Sequence, residues 1–136
     1  MHTLTIIRNA IQTPDLTILH SRSVHDCRSH LDTVSGETYV VDGGNMYFRH
    51  SVNIVPFVDM TVTSEDSFEV QREAFEWGSH GVDGTEDIHY IKLMDLSSLH
   101  LYAILQTQTW LNGTYIEYLM KEEVAYRLVN SKVVNN

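Results

Sequence analysis

Histidines and carboxylates are the residues of this chain whose side chains could do chemistry, since it has eight histidines and eighteen Asp and Glu residues but one cysteine. His20, His25 and His30 offer nitrogen ligands of the kind that zinc accepts. However, a spacing of five residues does not place two imidazoles on one face of a helix, and no C-x-x-C or H-E-x-x-H motif accompanies them. Zinc binding by these histidines is therefore a minor alternative.

A second group of potential metal ligands, Asp83, Glu86, Asp87 and His89, lies in a glycine-rich stretch. Its oxygens suit calcium, but the D-x-D-x-D-G order of a calcium loop is absent. The sequence also has no G-x-S-x-G nucleophile elbow, no P-loop and no dinucleotide-binding fingerprint. We therefore expect no cofactor and favour a non-enzymatic protein. A metal-dependent hydrolase or nuclease that uses His, Asp and Glu residues is the alternative.

Acidic residues are concentrated between positions 64 and 87, where the only Lys or Arg is Arg72. One interpretation is a solvated helix face followed by a glycine-rich loop, with acids near the helix start that suit the helix dipole. The other is a docking surface for a protein partner with a basic surface. The carboxylates of this acidic segment are Glu65, Asp66, Glu69, Glu73, Glu76, Asp83, Glu86 and Asp87.

Three polar residues fall inside the apolar stripes of two helices that we predict for the last third of the chain. His100 lies on the first helix, and Glu123 and Arg127 lie on the second, spaced i, i+4 with the acid first, the favourable order for an ion pair. The simplest interpretation of this polar triad is a buried hydrogen-bonded network, because a charge in a core must be paired. A ligand-binding or catalytic role and a partner-binding face are the alternatives.

The two helices of the triad form a predicted helical hairpin. Residues 88–94 favour a strand, and Asp95 after it can cap the first helix. An Asn-Gly pair ends that helix. Thr114 and Glu117 then form a T-x-x-E capping box at the start of the second helix, which we expect to run to about position 129.

The first two thirds of the chain alternate short strands with two helices. Tight turns rather than helical crossovers join neighbouring strands, and Asp-Gly-Gly-Asn at 42–45 is the clearest hairpin turn. The predicted strands are 3–8, 16–20, 37–41, 46–50 and the extended run 52–63, and the predicted helices are 24–32, behind Ser23, and 65–77, ending at Gly78.

This order of elements favours an α+β fold. We expect a mostly antiparallel sheet of about five or six strands, helices on one face and the C-terminal helical hairpin. A chain of 136 residues is long enough for one domain with its own core. We therefore predict a single globular domain over 1–129 and a flexible tail over 130–136.

Composition restricts the location and the partners. Nine Lys and Arg against eighteen acids give a net charge of −9, which disfavours binding to nucleic-acid phosphates and favours a partner with a basic surface. The first residues lack the apolar core of a signal peptide, and no apolar run approaches the length of a membrane span. The one cysteine, Cys27, has no partner for an intrachain disulfide. We expect a cytoplasmic protein that does not bind a membrane.

The pattern K-L-M-D-L-S-S-L-H-L-Y-A-I-L, followed by E-E-V-A-Y-R, resembles one that recurs in small uncharacterised accessory proteins of T-even-like tailed bacteriophages. It covers the C-terminal helical hairpin alone, and His100, Glu123 and Arg127 are the positions that carry it. The resemblance implies an origin in a phage, a location in the host cytoplasm and a role in modulating a host protein.

Overall fold

The computed structural model describes residues 4–81 and 83–134, of which 131–134 are described by their backbone alone. The chain divides into two compact units, Met1–Ser67 and Phe68–Asn136, whereas the sequence suggests one domain over 1–129. The α+β class and the antiparallel strand pairing are confirmed. The strands of the described residues are distributed over three sheets, two in the first unit and one in the second.

The first unit contains two antiparallel sheets. One has the order β2-β1-β6, with β7 also paired to β1, and the other has the order β3-β4-β5. Partners on both edges make β1 a central strand. It replaces the predicted strand 3–8, whose first residue lies outside the described part of the chain. The strands are β1 (Ile6–Gln12), β2 (Ile18–Ser21), β3 (Arg28–Leu31), β4 (Thr38–Asp42), β5 (Arg49–His50), β6 (Val58–Asp59) and β7 (Val62–Thr63).

The core of the first unit lies between its two sheets. Ile11 and Leu19 of one sheet pack with Tyr39 and Val41 of the other, and Phe57 covers this cluster. Ile11 and Leu19 are direct cross-strand partners, so their side chains project from the same face of the β1–β2 pair. The Tyr39 ring meets the Phe57 ring edge to face, with 6.4 Å between ring centroids.

The predicted β4–β5 hairpin is confirmed, and β1 and β2 form a second antiparallel hairpin. β5 is shorter than predicted because a buried side chain holds the loop before it. The Nδ2 group of Asn9 donates to the carbonyl oxygens of Asp42, Gly44 and Tyr47, at 2.9, 3.1 and 3.3 Å. Gly44 has a φ of +53°, which only a glycine adopts without strain.

The helix predicted over 24–32 is wrong, because Arg28–Leu31 form β3 and pair with β4. Ser23 begins a turn instead of a helix, and the N–H of Asp26 donates to the carbonyl oxygen of Ser23 at 3.0 Å. Val24, Cys27 and Leu31 have the spacing of one helix face in the sequence, but Leu31 is 64% exposed, so this spacing does not mark a buried face. Pairing with a strand further along the chain outweighs this local pattern.

The second unit combines one β-hairpin with helices. β8 and β9 pair antiparallel, and Trp77 lies opposite Ile91. Single 3₁₀ turns, Leu93–Asp95 and Thr109–Leu111, precede and follow α2. The elements are α1 (Phe68–Ala74), β8 (Glu76–Ser79), β9 (His89–Lys92), α2 (Ser98–Thr107) and α3 (Tyr115–Val134).

The helix predicted over 65–77 is shorter, since α1 begins at Phe68 and ends at Ala74. The N–H of Leu93 donates to the carbonyl of Phe75 at 2.9 Å, and the residues after Phe75 pair with β9 as β8. The strand predicted over 88–94 is confirmed as β9. The predicted helix therefore wrongly included Trp77, which belongs to β8.

The caps of the helical hairpin differ from the prediction in detail. Asp95 lies within a 3₁₀ turn, and Ser97 caps α2 by accepting the N–H of His100 at 3.1 Å. Thr114 accepts the N–H of Glu117 at 3.3 Å, as a capping box requires. The Glu117 carboxylate, however, accepts the N–H of Gly113 at 3.1 Å instead of that of Thr114.

The last helix is longer than expected. α3 continues to Val134, beyond the predicted end near position 129. The predicted tail 130–136 thus begins within a helix, and positions 135 and 136 lie outside the described residues. The mobility of this segment stays a prediction.

Candidate functional site

A buried carboxylate joins three segments of the second unit. Glu123 on α3 is fully buried, and the guanidinium of Arg72 on α1 binds it through two parallel hydrogen bonds, Nε to Oε1 at 2.7 Å and Nη2 to Oε2 at 2.9 Å. Arg127, one turn along α3, donates from Nε to Oε2 at 2.7 Å. Burial alone raises the pKa of Glu123, but the hydrogen bonds from the two arginines outweigh it and hold the pKa below its ordinary value.

The two arginines also have further partners. Arg127 donates to the Ser98 hydroxyl at 3.1 Å and to the Leu93 carbonyl at 3.0 Å. The Arg72 guanidinium lies 4.4 Å from the centroid of the Tyr126 ring, a cation–π contact. Its hydrogen bond with Glu123 raises the pKa of Arg72, so the pair is charged. The network thereby ties α1, α3 and the start of α2 together.

The predicted triad is therefore wrong in one member. Glu123 and Arg127 pair as expected, but the third residue is Arg72 and not His100. The sequence held one signal for this exchange: Arg72 is the only Lys or Arg among the acids of 64–87, and it lies on a predicted helix. A cation that remains alone in such a segment is a candidate for pairing elsewhere.

His100 lines a groove between the β8–β9 hairpin and α2. The groove has a volume of about 830 Å³. One wall is a face of the hairpin, where side chains alternate in direction along each strand. The other wall is one face of α2, formed by side chains three or four positions apart in the sequence. The residues at these walls are Trp77, Ser79, His89 and Ile91 of the hairpin and His100, Ala103, Ile104 and Thr107 of α2.

Aromatic stacking fixes the tryptophan end of this groove. The Trp77 ring stacks on the Trp110 ring, with centroids 6.2 Å apart and planes 15° apart. The indole N–H of Trp110 donates to the Gln108 side chain at 2.9 Å. Gln108 also lines the groove, so Trp77 lies near the C-terminal end of α2.

The lining of the groove combines apolar and polar side chains. Its described lining contains three histidines, His80, His89 and His100, one carboxylate, Glu86, and no Lys or Arg. His80 Nδ1 lies 3.0 Å from the Glu86 carbonyl oxygen, and the N–H of Glu86 donates to the His80 carbonyl at 2.9 Å. These two bonds close the loop between β8 and β9. Such a lining can hold an apolar group beside a cation and can exchange hydrogen bonds with a polar backbone.

The structure divides the predicted acidic segment between the two units. Glu65 and Asp66 belong to the first unit, and the Asp66 carboxylate accepts the Thr63 N–H at 2.8 Å. In the second unit, Glu73 pairs with Lys92 at 2.6 Å. The other members there are Glu69 on α1, Glu76 on β8, and Asp83, Glu86 and Asp87 in the exposed loop between the strands of the hairpin.

A separate group in the first unit has the composition of a metal site. One ligand atom from each of Asp15, His30 and Asp32 lies within 4.8 Å of the others. Asp15 accepts from His30 Nε2 at 2.7 Å and from the Thr33 N–H at 2.9 Å. Asp32 accepts the N–H groups of Asp15 at 2.7 Å and Ser35 at 2.5 Å. The oxygens that a metal would need are thus already bonded within the chain.

The electrostatics of this group agree with a bracing role. The Thr33 N–H, followed by His30, holds the pKa of Asp15 far below its ordinary value. Burial raises the pKa of Asp32, but the N–H groups of Ser35 and Asp15 outweigh it and lower the pKa. Both carboxylates are charged and hold the neighbouring turns together. Of the metal ligands suggested by sequence, His30 belongs to this group, whereas His20, His25 and the residues around Asp83 do not.

Comparisons of this chain with protein-family models, curated proteins and solved structures give no match. None of the helices in the described part of the chain combines the length and apolar character needed to cross a membrane.

Proposed function

We propose that this chain is a non-enzymatic binding protein that binds a partner protein with a basic surface through those carboxylates of the acidic segment 64–87 that lie in its second unit. The observation that carries the proposal is the loop between β8 and β9. Asp83, Glu86 and Asp87 are exposed there, and no salt bridge to them occurs among the described residues.

The Lys and Arg residues of the second unit do little to neutralise this negative surface. Phe68–Asn136 contains ten carboxylates and five Lys and Arg residues. Arg72 and Arg127 are directed at the buried Glu123, so they contribute little positive charge to the exposed surface. Lys92 pairs with Glu73, and Lys121 lies 3.7 Å from Glu117. An excess of exposed carboxylates accelerates association with a basic partner. Added salt screens this attraction and slows the association.

The resemblance to accessory proteins of T-even-like phages suggests which partner to look for. It makes a bacterial protein in the host cytoplasm the expected partner and modulation of that protein the expected role. The net charge of −9 supports a protein partner over nucleic acid, whose phosphates require Lys and Arg.

Pull-down from bacterial lysate at low and high salt tests this proposal. We expect one bacterial protein to be recovered at low salt and lost at high salt. The variant Asp83→Lys/Asp87→Lys should slow association by about tenfold. Its control, Asp95→Lys/Glu122→Lys, makes the same change in net charge at exposed positions outside the loop. Equal effects of the two variants, or no specific partner at either salt, would contradict the proposal.

A further inference from the structure

We propose that the groove between the β8–β9 hairpin and α2 binds an extended peptide segment of the partner, in which a bulky apolar side chain lies next to Lys or Arg. This inference rests on the proposed function and specifies the chemistry of the contact. The groove lies wholly within the second unit, so each wall belongs to the same compact body.

The dimensions of the groove suit a short extended chain. Its lining runs from Ser97 to Gln108 along α2, which is a length of roughly 16 Å at the rise of an α-helix. An extended peptide covers that length with about five residues. The volume of about 830 Å³ is within the range of ligand-binding clefts.

The apolar surface of the groove selects a bulky apolar side chain. Trp77, Ile91 and Ile104 line it, and the stacking of Trp77 on Trp110 holds the indole in place before anything binds. Leu99, also in the lining, is 81% exposed. A large apolar side chain in water beside an apolar groove gains from being covered, and a preformed pocket loses little conformational entropy on binding.

Charge complementarity selects a cationic neighbour for that side chain. Glu86 is the carboxylate in the described lining, and Asp83 and Asp87 belong to the same loop. The described lining contains no Lys or Arg, which would repel a cation or attract an anion. A basic residue adjacent to the apolar anchor therefore meets Glu86, and the ring nitrogens of His89 and His100 are available for hydrogen bonds with the peptide backbone.

Tryptophan fluorescence gives a direct measurement, because the only two tryptophans of the chain, Trp77 and Trp110, stack on each other at this groove. The probe is the blocked peptide Gly-Lys-Phe-Lys-Gly. Two control peptides are Gly-Glu-Phe-Glu-Gly, with reversed charge, and Gly-Lys-Ala-Lys-Gly, without the anchor. We expect a saturable change with the probe and at least about tenfold weaker binding of either control. Equal binding of all three peptides would overturn the inference.

A variant that fills the groove tests the location. Ala103 lines the groove on an exposed face of α2, so Ala103→Phe should abolish probe binding without unfolding the unit. Ala125→Phe places the same side chain at an exposed position of α3 and should leave binding unchanged. Glu86→Gln should weaken binding of the probe, whereas Glu122→Gln on α3 should not. Circular dichroism of each variant checks that its fold is retained.

The same variants separate this inference from the proposed function. If Ala103→Phe leaves capture of the bacterial partner intact while Asp83→Lys/Asp87→Lys removes it, the proposed function stands and the groove is not the contact. If the probe binds and Ala103→Phe blocks it but no partner is recovered, the groove is supported and the proposed function fails. Self-association of the chain that Ala103→Phe removes would assign the groove to a second copy and overturn the inference.

Discussion

Each unit of the molecule buries a carboxylate, but different groups neutralise it. In the second unit, Glu123 faces the guanidinium groups of Arg72 and Arg127. In the first unit, Asp32 accepts the backbone N–H groups of Asp15 and Ser35, and no Lys or Arg pairs with it among the described residues. The Glu123 centre depends on charged side chains, one of them from a distant position in the chain, whereas the Asp32 centre depends on backbone N–H groups.

This difference determines what each centre contributes. Arg72 and Glu123 are 51 residues apart, so their contact joins helices and holds the packing of the second unit. The bonds to Asp32 span 17 residues or fewer and fix turns of the first unit. Loss of the charge on Glu123 leaves two like charges facing each other, whereas the N–H groups around Asp32 have no such conflict.

The largest expected effect is that of Glu123→Gln. The amide removes the negative charge between two partly buried arginines, which should destabilise the fold by about 3–5 kcal/mol. Urea denaturation measures the free energy of unfolding. Glu122→Gln, at the neighbouring exposed position, should change it by less than about 0.5 kcal/mol. A loss below about 1 kcal/mol for Glu123→Gln would show that the network stabilises little.

Acid should weaken both centres in the same direction. The pKa values of Glu123 and Asp15 are lowered in the folded chain, whereas in the unfolded chain such groups titrate near pH 4, roughly. Below that pH the unfolded state binds protons that the folded state does not bind. The free energy of unfolding should therefore be level well above about pH 5 and fall as the pH decreases through about 4.

Asp15→Asn separates the contribution of the first unit to this acid sensitivity. In this variant the free energy of unfolding should fall less steeply with decreasing pH. The number of protons taken up on unfolding should be smaller by up to about one. Denaturant titrations at a series of pH values measure this slope, and Glu122→Gln should keep the wild-type slope. An unchanged slope in Asp15→Asn would mean that the pKa of Asp15 is not lowered in the folded protein.

A smaller effect is expected for His100→Ala. The sequence placed His100 in the network of Glu123, and its loss would then cost more than about 1 kcal/mol. In the structure His100 lines the groove, so we expect a change in the free energy of unfolding within about 0.5 kcal/mol, measured in urea. Binding of Gly-Lys-Phe-Lys-Gly should weaken instead. A large loss of stability would place His100 back in the network.

The sequence predicts those parts of the sites that depend on local geometry. The pairing of Glu123 with Arg127 follows from one helix and a spacing of four residues. Arg72 could not be assigned, because its partner lies on another helix and its own segment is typical of an acidic surface. The bracing group of the first unit was missed for a similar reason: Asp15 lies in the turn between β1 and β2, and its partner His30 lies on β3, in a region interpreted as a helix.

The fold shows the same division between local and distant interactions. The β4–β5 hairpin was predicted because its turn glycines lie within the hairpin itself. β3 was missed because a strand with exposed Leu31 is recognisable only beside β4. The groove was missed because the helix predicted over 65–77 included Trp77, which assigned one wall of the groove to another element.

The smallest expected effect is that of metal ions on the first unit. The oxygens of Asp15 and Asp32 already accept hydrogen bonds, so a cation would compete with those donors for the carboxylates. We expect the melting temperature to change by less than about 1 °C with zinc, manganese or calcium at about 1 mM. For comparison, a site with a Kd near 10 µM would add about 2.7 kcal/mol at that concentration.

Protein purified without a histidine tag is needed for this measurement, since a tag binds zinc itself. Asp15→Asn is the matched control, because it changes one potential ligand of the group and keeps its size. A rise of several degrees that Asp15→Asn removes would show that these carboxylates rearrange around a metal, and it would favour the metal-dependent hydrolase or nuclease. A rise that persists in Asp15→Asn would assign the metal to other residues and leave the bracing role of Asp15 and Asp32 intact.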